Sequence, residues 1–261
     1  MNRPALPVGA LLRQWRQHRR LSQLDLACEA GISTRHLSFV ETGRARPSRA
    51  LLLHLAERLD LPLRERNRLL IAGGYAPRYS ERPLDDPALS AAREAIDQLL
   101  AAHEPNPALA IDRHWQLLAA NRCVAPLLAG LPEELLRPPI NVLRLSLHPQ
   151  GLAPRIRNLA QWRAHLLARL QRDLEVSADA RLGELLAELA GYPAPAGPTE
   201  PGGVLVPLQL DTPWGVLSLI STTTVFGTAV DVTLAELALE TFFPADEQSA
   251  RILRQLHGQR A

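Results

Sequence analysis

Four side chains stand at helical spacing on one short stretch: Thr34, Arg35, Ser38 and Phe39, inside "GISTRHLSFVETGRARPS". Their chemistry is that of base recognition. A guanidinium forks onto guanine O6 and N7, a hydroxyl donates or accepts, and an aromatic ring touches a thymine methyl. Ile32, Leu37 and Val40 lie between them and fit the buried side of the same helix. Arg44 and Arg46 follow at once, two cations suited to phosphate. Exposing Phe39 is costly in a monomer. The alternative to base contact is that it bends back onto the next helix.

A base-reading helix needs a tight turn before it, apolar support beneath it and a stop after it. Gly31 supplies the turn and Gly43 the stop. Ser22-Gln23-Leu24-Asp25 opens the preceding helix like a capping box, with Leu24, Leu26 and Ala27 expected to face inward. Ser33 N-caps the reading helix, expected over Thr34–Thr42. A first helix is expected over Val8–Arg19, with Leu11, Leu12 and Trp15 on one face. Ser48 caps a fourth carrying Leu52, Leu55, Ala56 and Leu59, and Pro62 sits in the first turn of a fifth.

All 29 basic residues are Arg. Residues 1–76 hold 13 of them against 6 Asp and Glu, a net of +7, while residues 77–261 hold 16 against 21, a net of −5. A basic head on an acidic body points to a nucleic-acid-binding module joined to one with another task. With 46% hydrophobic residues over 261 positions, the chain has the means to bury two cores.

"GGYAPRYSERPLDDP", from Gly73 to Pro87, breaks the helical pattern and reads as a linker. The next stretch places Leu89, Ala92, Ile96 and Leu99 on one helical face, free to pack on the body or on a partner chain. "ALAIDRHWQLLAANR" reads as two short strands about an Asp-Arg-His turn, with Asn121 opening a helix. Val142–Leu147 reads as irregular or extended. A long amphipathic helix follows, with Ile156, Leu159, Trp162, Leu166 and Leu170 on its stripe. A further helix spans about Ala178–Ala190, and "GYPAPAGPTEPGG" reads as a loop. A hairpin turns at Thr-Pro-Trp-Gly. After it, alternation sets Leu237, Leu239 and Phe243 against Glu236 and Glu240, the pattern of a strand. A closing helix begins near Asp246.

"LSQLDLACEAGISTRHLSFVETGRARPSRALLLHLAERLDL" resembles the XRE, or Cro/phage-repressor, class of helix-turn-helix domain. The resemblance implies five helices and a homodimer on the paired half-sites of a palindromic double-stranded DNA operator. It implies phosphate contacts from Gln23, Ser33, Arg44 and Arg46, and an internal ion pair between Arg16 and Glu41. Phe39 departs from the pattern, because many relatives are polar there.

"HEPNPALAIDRHWQLLAANR", "NVLRLSLHPQGL", "NLAQW" and "TPWGVLSLISTTTVFGTAVDVTLAELALETFFPAD" resemble the ligand-binding domain of MmyB-like regulators. That resemblance implies a PAS-like antiparallel sheet with flanking helices and an apolar ligand, a fatty acid or something similar. Trp115, Arg144, His148, Asn158, Trp162 and Phe226 are the candidate pocket residues, with Arg144 suited to a ligand carboxylate. Each also has a structural reading: the tryptophans as core, Arg144 as an ion pair, His148 as a turn residue.

The expected fold is therefore multidomain. An all-α five-helix head covers 1–76, a linker and connecting helix cover 77–104, and an α+β PAS-like body covers 105–261. No Gly-rich phosphate loop, Gly-x-Ser-x-Gly or His-Glu-x-x-His occurs, and the eight histidines lack metal-ligand spacing. No enzyme, catalytic residue, metal or cofactor is expected. No run approaches the roughly 18 apolar residues of a membrane span, and the N-terminus lacks a secretory apolar region, so a cytoplasmic protein without a membrane partner is expected. Cys28 and Cys123 read as small buried hydrophobes. Two other functions stay open: a lipid- or metabolite-binding protein whose head docks protein, and a thiol-based redox regulator using Cys123.

Overall fold

The computed structural model describes residues 6–193, 197 and 205–258. Most of the Pro- and Gly-rich loop expected over 191–203 lies outside them. The chain divides into two compact units: the residues up to Arg82 together with the short stretches Glu175–Ser177 and Ala229–Val232, and the remainder from Pro83 onward.

The first unit holds α1 (Val8–His18), α2 (Gln23–Glu29), α3 (Thr34–Glu41), α4 (Arg49–Arg58) and α5 (Leu63–Ala72). Three serines start three of them. Ser22 accepts from the Asp25 amide while the Asp25 carboxylate accepts from the Ser22 amide. Ser33 accepts from His36 at 3.1 Å, and Ser48 from Leu51 at 3.2 Å. Gly31 takes φ +62°, a left-handed turn that would strain any side chain, and so lets α3 leave α2 sharply. Leu12, Leu26, Leu37, Leu55 and Leu70 are fully enclosed in the core beneath. Leu24 is not among them: it is 60% exposed. Leu24 lies about 200° around the helix axis from Leu26, and Leu26 with Ala27 takes the inner side.

Helices α1 and α3 touch at Gly9. A Cβ there would stand 2.3 Å from the Val40 carbonyl oxygen and 2.6 Å from that of Glu41, both backbone atoms that have nowhere to go. Gly9→Ala should therefore lower the stability of this unit by up to about 2 kcal/mol in a thermal or urea melt. Overpacking costs about 1–3 kcal/mol, against a gain of about 1 kcal/mol in helix propensity.

The expected linker begins later than its composition implies. Asn67 donates to Tyr79 O at 2.7 Å and accepts from the amides of Arg78 and Tyr79 at 2.9 and 3.0 Å. Tyr75 donates its hydroxyl to Pro47 O. These bonds fold residues 75–79 onto the helices.

After the break come α6 (Ser90–Ala102), β1 (Ala108–Ile111), β2 (Leu117–Ala120), α7 (Glu133–Leu136), α8 (Val142–Leu147), α9 (Leu159–Ser177) and α10 (Ala180–Ala190). Then follow β3 (Leu208–Thr212), β4 (Gly215–Val225), α11 (Val232–Ala235), β5 (Ala238–Pro244) and α12 (Glu247–Gly258). The strands form one antiparallel sheet in the order β2-β1-β5-β4-β3. Side-chain alternation gives it two apolar faces. Leu109, Ile111, Leu208, Leu210, Leu217 and Leu219 join the main core with Trp162, Leu166 and Leu170 of α9. Ala108, Ala110 and Leu239, with Leu237 just before β5, meet Ile96 and Leu100 of α6 on the other.

Four expectations change here. Helix α6 is part of the second unit rather than a separate connector. Its buried face ends in Leu100, not Leu99, which is 50% exposed. Val142–Leu147 is helical because Asn141 caps it, its Oδ1 accepting from the amides of Leu143 and Arg144. Asn121 opens no α-helix. It ties β1 instead, accepting from Ala108 N and donating to the carbonyls of Leu100 and Asn106.

Candidate functional site

On α3, Leu37 and Val40 are fully buried, while Arg35 is exposed and Thr34, Ser38 and Phe39 are half-buried. Phe39 is half-buried, and two cations stand against its ring. The Arg35 guanidinium stands 5.3 Å from its ring centre and that of Arg44 stands 6.0 Å away, both within cation–π range. The ring thus braces two cations, one on the helix and one on its exit. Arg46 stands 6.0 Å from the Tyr75 ring, so it too is held against an aromatic face. Ser33, at the α3 N-cap, is exposed beside Arg35.

Behind this face, Arg16 of α1 grips Glu41 of α3 through two bonds, Nε at 2.6 Å and Nη2 at 2.9 Å. Arg16 also donates to Leu21 O at 2.8 Å. Gln23 donates to Glu41 Oε2 at 2.8 Å, so its amide is half-buried and anchored at the start of α2. Burial by itself pushes the Glu41 carboxyl up, but the bonds from Arg16 and Gln23 outweigh it and hold it below its ordinary range.

The second unit holds a partly open cavity of about 100 Å³ between α8, α9 and the sheet. Leu143, Leu166, Leu210, Leu219 and Phe242 give it apolar walls. Trp115 and Trp162, two of the six candidates, line it. Trp162 donates its indole N–H to Ser146 at 2.9 Å, and Trp115 donates to Asp173 at 3.1 Å. Trp115 also holds φ +63°, a left-handed conformation that costs a bulky residue energy.

The other four candidates are elsewhere. Arg144 faces α10, not the cavity, because α8 is a helix; it clasps Glu188 through Nε at 2.8 Å and Nη2 at 2.6 Å. The Tyr192 hydroxyl donates to the same carboxylate, and burial together with Glu188 pushes that phenol up to about 12. His148 rests edge-on against Tyr192 and its Nδ1 accepts from Gln150 N. Asn158 tethers the start of α9 to Pro207 O and Gln209 N. Phe226 packs on the cluster around α6, the far side of the sheet. Arg144 is thus paired with Glu188 and does not line this cavity.

The polar groups that do reach the cavity are Arg169, Glu240, Ser146 and Ser221. Arg169 donates to both carboxylate oxygens of Glu240 and to the Thr223 hydroxyl, and its guanidinium stands 4.4 Å from the Trp115 ring centre. In the sequence, Arg169 follows Trp162 and Leu166 at helical spacing, the one signal that it borders the buried stripe.

Residues 92–256, well over half of the chain, match the family described as the MmyB-like transcription regulator ligand binding domain, and residues 7–69 match a helix-turn-helix domain. The chain belongs to the MmyB-like transcription regulators. An uncharacterized HTH-type transcriptional regulator of Mycobacterium bovis is 33% identical over 114 residues, 41% of this chain and 38% of that protein. Two counterparts from strains of Mycobacterium tuberculosis, bearing the same description, match equally. The chain thus aligns with well under half the length of these curated relatives.

Two features of this MmyB-like regulator bear on its cysteines. Cys28 is exposed rather than buried, since the inner side of α2 is taken by Leu26 and Ala27. Cys123 is buried, and burial followed by the Glu104 charge pushes its thiol up. A redox sensor needs the opposite, a stabilised thiolate in reach of oxidant. Glu104, Cys123 and His257 bring their polar atoms within 4.8 Å of one another, which their sequence separation hid. Arg122 stands in the same cluster, donating to Glu104 at 2.6 Å and meeting His257 Nε2 at 3.1 Å. Among the described residues, no helix is long and apolar enough to cross a membrane.

Proposed function

We propose that the protein is a sequence-specific DNA-binding regulator that acts as a homodimer on a palindromic operator, its affinity set by an apolar, fatty-acyl-like molecule in the body. The observation that carries the DNA reading is the outer face of α3, where Phe39 braces Arg35 and Arg44 beside Thr34 and Ser38. Thr34, Arg35, Ser38 and Phe39 read base edges, while Ser33, Arg44 and Arg46 hold phosphate and set register. Gln23 reaches phosphate only by leaving Glu41 or by sharing its second amide hydrogen. A net of +7 on residues 1–76 supports this over a head that docks protein.

The ligand reading rests on the cavity, with its apolar walls and few polar groups. Cavities of this order take up small apolar molecules. A ligand shifts operator affinity only by binding one arrangement of the protein better than another.

Fluorescence anisotropy on DNA from upstream of the protein's own coding region, repeated at rising salt, tests the proposal. A specific complex that weakens steeply with salt supports it, and the absence of any salt-sensitive complex argues instead for a lipid- or metabolite-binding protein whose head docks protein. In the same assay Arg46→Ala should weaken binding to all sequences alike and reduce the salt slope by about 1.

A further inference from the structure

The cavity is apolar except at one end, where its charges are already spent on each other. Arg169 is the only cation among its lining residues, and both oxygens of Glu240 take its hydrogen bonds. Thr223 completes the set, accepting from Arg169 and donating to Glu240 at 2.9 Å. Glu240 is only 4% exposed and sits on β5, the middle strand of the sheet, so its carboxylate depends mainly on Arg169 and Thr223. Asp173 does not line the cavity and accepts from the Trp115 indole N–H.

An incoming carboxylate would meet Glu240 before it could claim Arg169. It would either share a guanidinium already neutralised by Glu240, beside a like charge, or displace Glu240 and leave that charge without its partner, and both outcomes are unfavourable. Neutral groups fare differently. Ser146 accepts from Trp162 and keeps its own O–H to donate, and Ser221 has no hydrogen-bond partner for its hydroxyl among the described residues. These two hydroxyls are matched to an uncharged oxygen or N–H.

We infer that the cavity selects an apolar molecule whose polar end is uncharged, such as an alcohol, ester or amide, and rejects the corresponding free carboxylate, with the Arg169–Glu240 pair as the discriminating element. This rests on the reading of the cavity as the ligand site.

The test is isothermal titration or native mass spectrometry of the full chain near neutral pH with decanol, decanamide and decanoate. Wild type should bind the two neutral probes on the order of 10–100-fold more tightly than decanoate, a difference of about 1.4 kcal/mol per factor of ten. Glu240→Gln leaves Arg169 without its counter-charge and should shift the preference toward decanoate, reversing the order. The wild-type comparison stands by itself if that variant does not fold. Decanoate binding as tightly as decanol to wild type would overturn the inference while leaving the cavity as a ligand site. Failure of all three probes to bind would remove the ligand-site reading and the inference with it.

Discussion

Replacing Glu41 by Ala should lower the unfolding free energy of the helical unit by about 3–5 kcal/mol. The side chain of Glu41 is 1% exposed and that of Arg16 is 9% exposed. Removal leaves the Arg16 charge with Leu21 O alone and the Gln23 amide without its acceptor. The cost comes from the stranded cation more than from the lost bonds. Hence the double variant Arg16→Met with Glu41→Leu should recover most of the loss, because neither charge then remains to be satisfied. Hydrogen exchange of the α1 and α3 amides in the full chain measures both. The pH dependence has a definite sign. Glu41 titrates below its ordinary value near 4.5 when folded, so its contribution is present above that value and disappears as pH falls through the folded pKa. The gap between wild type and Glu41→Ala should therefore narrow in acid.

Replacing Arg35 by Ala should cost about 1–3 kcal/mol of operator binding, roughly 5- to 150-fold, and relax preference at one base pair in each half-site. The stack on Phe39 strengthens this expectation. A long exposed side chain loses rotamer freedom when it forks onto a base, and a guanidinium already resting 5.3 Å from an aromatic ring centre has lost part of it beforehand. Phe39→Ala releases Arg35 and Arg44 together. It should weaken binding while leaving the identity of the preferred base pair opposite Arg35 in place. A competition assay on an operator and its single-base variants separates the two outcomes.

Much of this was legible in the sequence, for identifiable reasons. Ser22, Ser33 and Ser48 announce their helices because a cap is a local bond within three residues. Trp162, Leu166 and Leu170 announce α9 because one buried stripe has one period. The cavity was half legible. Its tryptophans are large and apolar, but Arg169 reads as solvated until its neighbours across the sheet are known. Glu240 alternates with Leu239 as a strand residue should, and in isolation such alternation marks a solvent face. Here β5 lies mid-sheet with both faces covered, a fact of strand order that no local pattern carries. Arg144 misled for the converse reason: reading 142–147 as extended leaves its direction open, whereas the Asn141 cap makes a helix and turns Arg144 toward Glu188. Phe39 was singled out as an exposed ring, but the two arginines around it come from different elements.

On the proposed function, the outer face of α3 reads DNA as one half of a symmetric pair. Selection of bound duplexes from a random-sequence pool by the full chain tests it most directly, with Arg35→Ala run in parallel. The expected result is enrichment of two inverted half-sites centred about 10 base pairs apart, one helical turn of about 34–36 Å, with Arg35→Ala losing preference at one position in each. Enrichment of no sequence, or of a motif unchanged by Arg35→Ala, would contradict it.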